Sequence, residues 1–106
     1  MTKVVNKYKD SYDIYIGRGS IFGNPFTLQL HTRAESIALY KTYFYKELKE
    51  NTAFADAVHK LRGCTLGCFC KPKQCHGDVI VEYLELKELE NDIEVQKSLS
   101  INRKTE

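Results

Sequence analysis

The chain has 106 residues, 42% of them apolar, and a formal net charge of +2, enough for one domain with a modest core. The near-neutral balance argues against nucleic-acid binding driven by charge, and no apolar run approaches the roughly 20 residues of a membrane span. With no signal-peptide pattern in "MTKVVNKYKD", a cytoplasmic protein is expected. Its four cysteines then read as ligands, reactive thiols or small buried side chains, and not as a disulfide framework.

In chain order, "TKVV" (2–5) and "YDIYI" (12–16) are short and rich in β-branched and aromatic residues, which predicts two strands. The following "GRGSIFGNPF" holds Gly17, Gly19, Gly23, Asn24 and Pro25, so it reads as a loop, with Ile21, Phe22 and Phe26 needing burial. "TRAE" (32–35) is a capping box and predicts a helix start. Ile37, Tyr40, Phe44 and Leu48 recur behind it at helical spacing. "NTAFADAVHKLRG" begins with a capping Asn51, puts Phe54, Val58 and Leu61 on one side, and ends at Gly63, a residue suited to the left-handed position after a helix.

"CTLGCFC" then reads as a buried strand and "GDVIVEYLELKELE" as a third helix. The order predicts a small α/β domain over residues 1–90. It would be a two- or three-layer Rossmann-like arrangement with a short, mostly parallel sheet and about three helices. Residues 91–106 read as a polar C-terminal tail expected to fray, although Ile93 and Val95 could add an edge strand.

Chemistry concentrates in "LGCFCKPKQCHGD" (66–78). Cys68, Cys70, Cys75 and His76 supply the sulfur and nitrogen inventory of a tetrahedral zinc site, although four ligands within nine residues make a cramped one. The other chemical reading is a reactive thiol. Cys75, beside Lys71, Lys73 and His76 and near a helix start, has its thiolate favoured by nearby cations and by the helix dipole. His76 is then a general base or hydrogen-bond donor, and Asp78 either caps the helix or orients the imidazole. Cys64 reads as a packing residue.

The glycine loop can offer amides as a nest for an anion, with Arg18 and Ser20 adding a guanidinium and a hydroxyl. Its glycine spacing fits no standard nucleotide fingerprint, so a tight structural turn competes with ligand contact. Arg33, in the first turn of a helix, sits where a cation is disfavoured unless an anion or a carboxylate partners it. His31 and His59 read as surface or packing residues. Tyr15, Tyr40 and Tyr43 could stack a base, but no basic stripe accompanies them.

Together "YDIYIGRGSIFGNPF" and "LRGCTLGCFCKPKQCHGDVI" resemble a small domain of unknown function, number 4326 among such families, found in bacteriophages and bacteria. The resemblance spans residues 3–89. It implies that Arg18, Ser20, Asn24, Pro25, Cys68, Cys70, Pro72, Cys75, His76, Gly77 and Asp78 belong to the shared pattern, with Cys64 at a variable position. It implies no activity, but it pairs the glycine loop (17–25) with the cysteine and histidine loop (68–78) as two walls of one pocket.

The leading expectation is a domain that binds a nucleotide-like or other phosphate-bearing small molecule, with binder and enzyme both left open. Arg18, Gly19, Ser20, Asn24, Arg33 and Lys71 would bind the ligand, and His76, Asp78 and Cys75 would form the reacting centre of a hydrolase or group transferase. The rival is a zinc-stabilised, non-catalytic interaction module, a phage accessory or host-modulating protein, with Cys68, Cys70, Cys75 and His76 as ligands. The expected partner is an anionic small molecule and not a membrane; nucleic acid is disfavoured by the charge balance but stays open as a target of the rival module.

Overall fold

The computed structural model describes residues 2–71 and 73–90. The 91–106 tail, the suggested strand at Ile93 and Val95, and Pro72 lie outside the described residues. Strands β1 (Lys3–Asn6), β2 (Ile14–Tyr15) and β3 (Thr65–Cys68) form one sheet in the order β1-β3-β2, and both pairings are parallel. Helices α1 (Arg33–Glu50) and α2 (Thr52–His59) lie between β2 and β3 in sequence, and α3 covers 77–90. The domain is therefore the small α/β arrangement expected, with the last strand in the centre.

Central placement explains the composition of β3. Leu66 and Cys68 are fully buried, as expected for a strand hydrogen-bonded on both edges. Leu66 pairs with both Val4 and Ile14, and Gly67 with both Val5 and Tyr15. Gly67 has a further cause. The segment from 7 to 13 must carry the chain from β1 back to the start of β2, and it brings the Tyr12 ring against this strand. A Cβ on Gly67 would lie 2.6 Å from that ring. The crossing is fixed at its end by Asp13, whose amide donates to the Thr65 carbonyl (2.8 Å) and whose carboxylate accepts from the Thr65 amide (2.7 Å).

The capping box on α1 forms as the sequence predicts. The Glu35 amide donates to Thr32 Oγ1 (3.2 Å) and the Thr32 amide to Glu35 Oε1 (2.9 Å). Asn51 caps α2 by accepting from the Phe54 amide (3.1 Å). Tyr40 and Phe44 of α1, Phe54 and Val58 of α2, and Val79, Ile80, Tyr83 and Leu84 of α3 close the core over Ile16 and Leu66. The Phe44 ring is its centre, with edge-to-face contacts to Phe54 at 5.8 Å and Tyr83 at 5.6 Å.

Three expectations are corrected. β2 is shorter than "YDIYI", because Tyr12 is used to cross the sheet rather than to extend it. α2 stops at His59 and not near Gly63, since the chain tightens into turns with Leu61 donating to Val58 and Cys64 to Leu61. Gly63 does take a left-handed angle (φ +80°), but as the last residue of those turns. Of the three apolar side chains in the glycine loop, Phe22 is buried, Phe26 is half-buried and Ile21 is 60% exposed.

The loop's tightness is a stability prediction. A Cβ on Gly23 would meet the Gly17 carbonyl oxygen at 2.8 Å and that of Ser20 at 3.2 Å. The first of these oxygens is already held by the Ser20 amide and hydroxyl. Gly23→Ala is therefore expected to cost about 1–3 kcal/mol, read as a lower urea midpoint at constant slope. An unchanged midpoint would mean that the loop yields freely.

Candidate functional site: a thiol-lined cavity at the end of the central strand

The site lies at the carboxyl end of β3, where open parallel sheets commonly hold ligands. The turn leaving β3 is tied back to β1 by Asn6, whose side-chain amide donates to the Lys71 carbonyl (2.8 Å). It ends in a cysteine cap on α3. Cys75 Sγ accepts from the Gly77 amide (3.3 Å), and the Cys75 amide donates to the Asp78 carboxylate (3.1 Å). The carboxylate reaches back as in a capping box, while the sulfur takes the place of a serine oxygen but accepts from the second amide and not the third. Asp78 is thus a cap, and its other oxygen pairs with Lys71. Gly77 is packed under this turn, where a Cβ would meet Ile16 and Val4 side-chain atoms within 3 Å.

The two motif loops are joined through His76. Its Nε2 lies 2.7 Å from the Ile16 carbonyl at the entrance of the glycine loop. A carbonyl can only accept, so Nε2 carries the proton and Nδ1 keeps its lone pair. That lone pair is on the Cys75 side, 3.6 Å from its sulfur. The ring also packs edge-on against Tyr40 at 5.1 Å. Burial lowers the His76 pKa, against the opposing effects of the Ile16 carbonyl and Asp78, so the imidazole is neutral at neutral pH.

Helix α1 closes a third side. The Asn24 side-chain amide donates to Ser36 Oγ (2.8 Å), the Ser36 hydroxyl donates to the Phe26 carbonyl (2.5 Å), and the Phe26 amide donates to Asn24 Oδ1 (2.9 Å). The Tyr40 hydroxyl donates to the Phe22 carbonyl (2.8 Å). Arg33 donates from Nη1 to the Gln74 carbonyl (3.1 Å), bridging α1 to the cysteine turn.

These elements enclose a cavity of about 570 Å³, within the usual range for small-molecule sites. Of the residues singled out by sequence, Arg18, Asn24, Arg33, Cys68, Cys70, Cys75 and His76 line it. Gly19, Ser20, Lys71 and Asp78 are not among its lining residues. The Ser20 hydroxyl is spent on the Gly17 carbonyl (2.7 Å), and the Ser20 and Gly23 amides close successive turns. The nest of free amides read from the glycines is therefore not formed by these two. Gly19 serves the turn through its positive φ of 94°.

Sequence reasoning missed Asn6, Ser36, Gln74 and Phe69, and discounted Tyr15. Tyr15 and Phe69 both line the cavity, with their rings 5.9 Å apart and edge-on, and the Lys7 ammonium lies 4.8 and 4.4 Å from their centroids. Phe69 is 46% exposed. Its position between Cys68 and Cys70 was the available signal, because alternation points it away from the core face of the strand.

The sulfurs are arranged as a pair. Cys75 Sγ donates to Cys68 Sγ at 2.9 Å, and all four cysteines are free thiols. The hydrogen bond from Cys75, aided by the Cys70 and Lys71 amides and the Lys71 charge, outweighs burial and brings the Cys68 pKa down to about 6. Donating that bond, together with burial, pushes the Cys75 thiol up. Within the pair, Cys68 is thus the more acidic thiol and Cys75 the one that keeps its proton.

The zinc reading fits this geometry poorly. Two thiolates on one tetrahedral zinc stand about 3.8 Å apart at the usual bond length, whereas these sulfurs stand 2.9 Å apart. The His76 Nε2 is committed to Ile16, which leaves only Nδ1 with a lone pair. Among the described residues no three His, Cys, Asp or Glu side chains are grouped to hold a metal ion. Cys64 is apart from the cavity lining, with its thiol on the Lys60 carbonyl at 3.8 Å.

Fold and site together define a small parallel α/β domain with an arginine- and thiol-lined cavity at the end of its central strand. The chain belongs to the family described as domain of unknown function DUF4326, whose family model matches residues 2–86. It is similar to the "uncharacterized 12.4 kDa protein in nrdA-td intergenic region" of Enterobacteria phage T4. The two are 41% identical over 80 residues, covering 76% of this chain and 74% of the phage protein. No solved structure matches. No described helix is long and apolar enough to cross a membrane.

Proposed function

We propose that the cavity binds, and processes, a nucleotide-like phosphate-bearing small molecule. The observation that carries this reading is one cavity of about 570 Å³ lined by two arginines, Arg18 and Arg33, together with apolar and aromatic residues. Arginine is the side chain best shaped to take a phosphate through paired hydrogen bonds. Phe26, Leu28 and Ile37 supply apolar wall, and Tyr15 and Phe69 supply aromatic surface for a base. The charge on Cys68 repels a phosphate, so the anionic end goes to the arginines and the neutral part of the ligand faces the sulfurs.

For turnover, the reaction class is hydrolysis or group transfer at a glycosidic or phosphate bond. The Cys68 thiolate is the available nucleophile, and the neutral His76, with its lone pair toward Cys75, can accept a proton. This differs from the sequence expectation, in which Cys75 was the reactive thiol and Asp78 part of the reacting centre; Asp78 is occupied in the helix cap. Four free thiols suit a reducing compartment such as the cytoplasm.

A thermal-shift screen of the intact protein against nucleosides, nucleoside mono- and diphosphates, sugar phosphates and inorganic phosphate tests the reading. Phosphate-bearing nucleosides are expected to raise Tm more than unphosphorylated ones do, with product analysis of the hits separating binding from turnover. No shift with any phosphate-bearing compound would defeat the proposal.

A further inference from the structure

We propose that Cys68 and Cys75 are a redox-modification site that closes to an internal disulfide when the protein meets hydrogen peroxide. The inference does not depend on the identity of the ligand. Its basis is placement. The two sulfurs are already 2.9 Å apart as free thiols, and a disulfide bond of about 2.05 Å requires less than 1 Å of further approach.

Both partners are held by rigid elements. Cys68 ends the central strand and is paired across the sheet with Asn6, and Cys75 caps α3 through Gly77 and Asp78. Both line the cavity wall yet are almost fully buried, which favours an oxidant of nearly the size of water over a bulky disulfide.

The step balances as follows. The Cys68 thiolate attacks one peroxide oxygen, the O–O bond breaks, and the departing hydroxide takes the proton released by Cys68 and leaves as water. Cys75 sulfur then attacks the Cys68 sulfenic acid, forming the S–S bond and expelling hydroxide, which leaves as water with the Cys75 proton. His76 Nδ1, 3.6 Å from Cys75 Sγ with its lone pair on that side, can carry this proton. In sum two thiols lose two hydrogens and one peroxide becomes two waters. The product covalently ties the end of β3 to the start of α3 within the cavity wall.

The test treats the reduced full-length chain with hydrogen peroxide and follows intact mass, then maps the cross-link in a non-reducing digest. The expected result is loss of two hydrogens, a cross-link joining the peptides of Cys68 and Cys75, and reversal by a dithiol reductant. Cys64→Ser and Cys70→Ser should behave as the parent. Cys75→Ser keeps a capping oxygen and therefore the fold, which circular dichroism checks. It should instead gain an oxygen at Cys68 with no internal cross-link. A cross-link through Cys70, oxygen addition to the parent without loss of hydrogens, or a bound zinc that shields both thiols from peroxide would each overturn the proposal.

Discussion

Replacing His76 with alanine is expected to lower stability by roughly 2–4 kcal/mol. The change leaves the Ile16 carbonyl without its 2.7 Å donor and opens a hole beside Tyr40. It also unties the glycine loop from the start of α3, which is the bond joining the two halves of the family pattern. His76→Gln, which can present an amide nitrogen near the Nε2 position, should recover a large part of the loss. If alanine and glutamine unfolded alike at the parental urea midpoint, the ring would not be holding the two loops together.

The same burial gives a pH signature with a fixed sign. The unfolded ring titrates near 6.5, and burial lowers the folded value below that. Between the two values the unfolded chain holds a proton that the folded chain does not, so stability falls as the pH drops below 6.5. The groups facing the ring are Cys75, Tyr40 and Asp78. The Cys68 thiol, depressed from 9.0 to about 6, also adds stability that is lost as pH falls, but across the window from 9.0 to about 6. Denaturation midpoints measured below pH 6.5 should therefore decline more steeply in the parent than in His76→Gln. Parallel profiles would contradict a buried neutral imidazole.

Arg18→Ala is expected to weaken binding of a nucleoside monophosphate by about 10- to 100-fold, the value of a charge-assisted hydrogen bond. Arg18 is exposed at the cavity edge and its side chain makes no hydrogen bond among the described residues, so its loss should leave stability nearly unchanged. Arg33→Ala removes a second guanidinium but also the bond to Gln74, so it should weaken binding and loosen the cysteine turn together. Ser20→Ala is the contrasting variant. Its hydroxyl serves the Gly17 carbonyl, and the change should cost stability but not affinity.

What could be read from the sequence was local. The Thr32–Glu35 box, the Asn51 cap and the face of Phe54, Val58 and Leu61 depend on residues three or four apart, and each formed as expected. The pairing of the glycine and cysteine loops came from resemblance, and the structure gives it a cause in the His76 to Ile16 bond. The order of the strands depends on β3 inserting between β1 and β2, a contact more than 50 residues away in sequence that no periodicity encodes.

Polar roles were harder to read for a similar reason. Ser20 and Asp78 have the right chemistry for an anion site and a reacting centre, but each meets a nearer demand, a turn carbonyl and a helix cap. Asn6 and Ser36 do the opposite. They look like ordinary strand and helix residues, and they fix the two loops through bonds to Lys71, Asn24 and Phe26 that only the folded chain brings together.

The central claim is that the cavity takes a phosphate-bearing ligand through its guanidiniums. Titration calorimetry of the nucleoside monophosphate that gives the largest thermal shift, run on the parent, Arg18→Ala and Ser20→Ala, tests it most directly. Saturable one-to-one binding to the parent is expected, with near-parental affinity in Ser20→Ala and a loss of about 10-fold or more in Arg18→Ala. Equal affinity in all three proteins would contradict it.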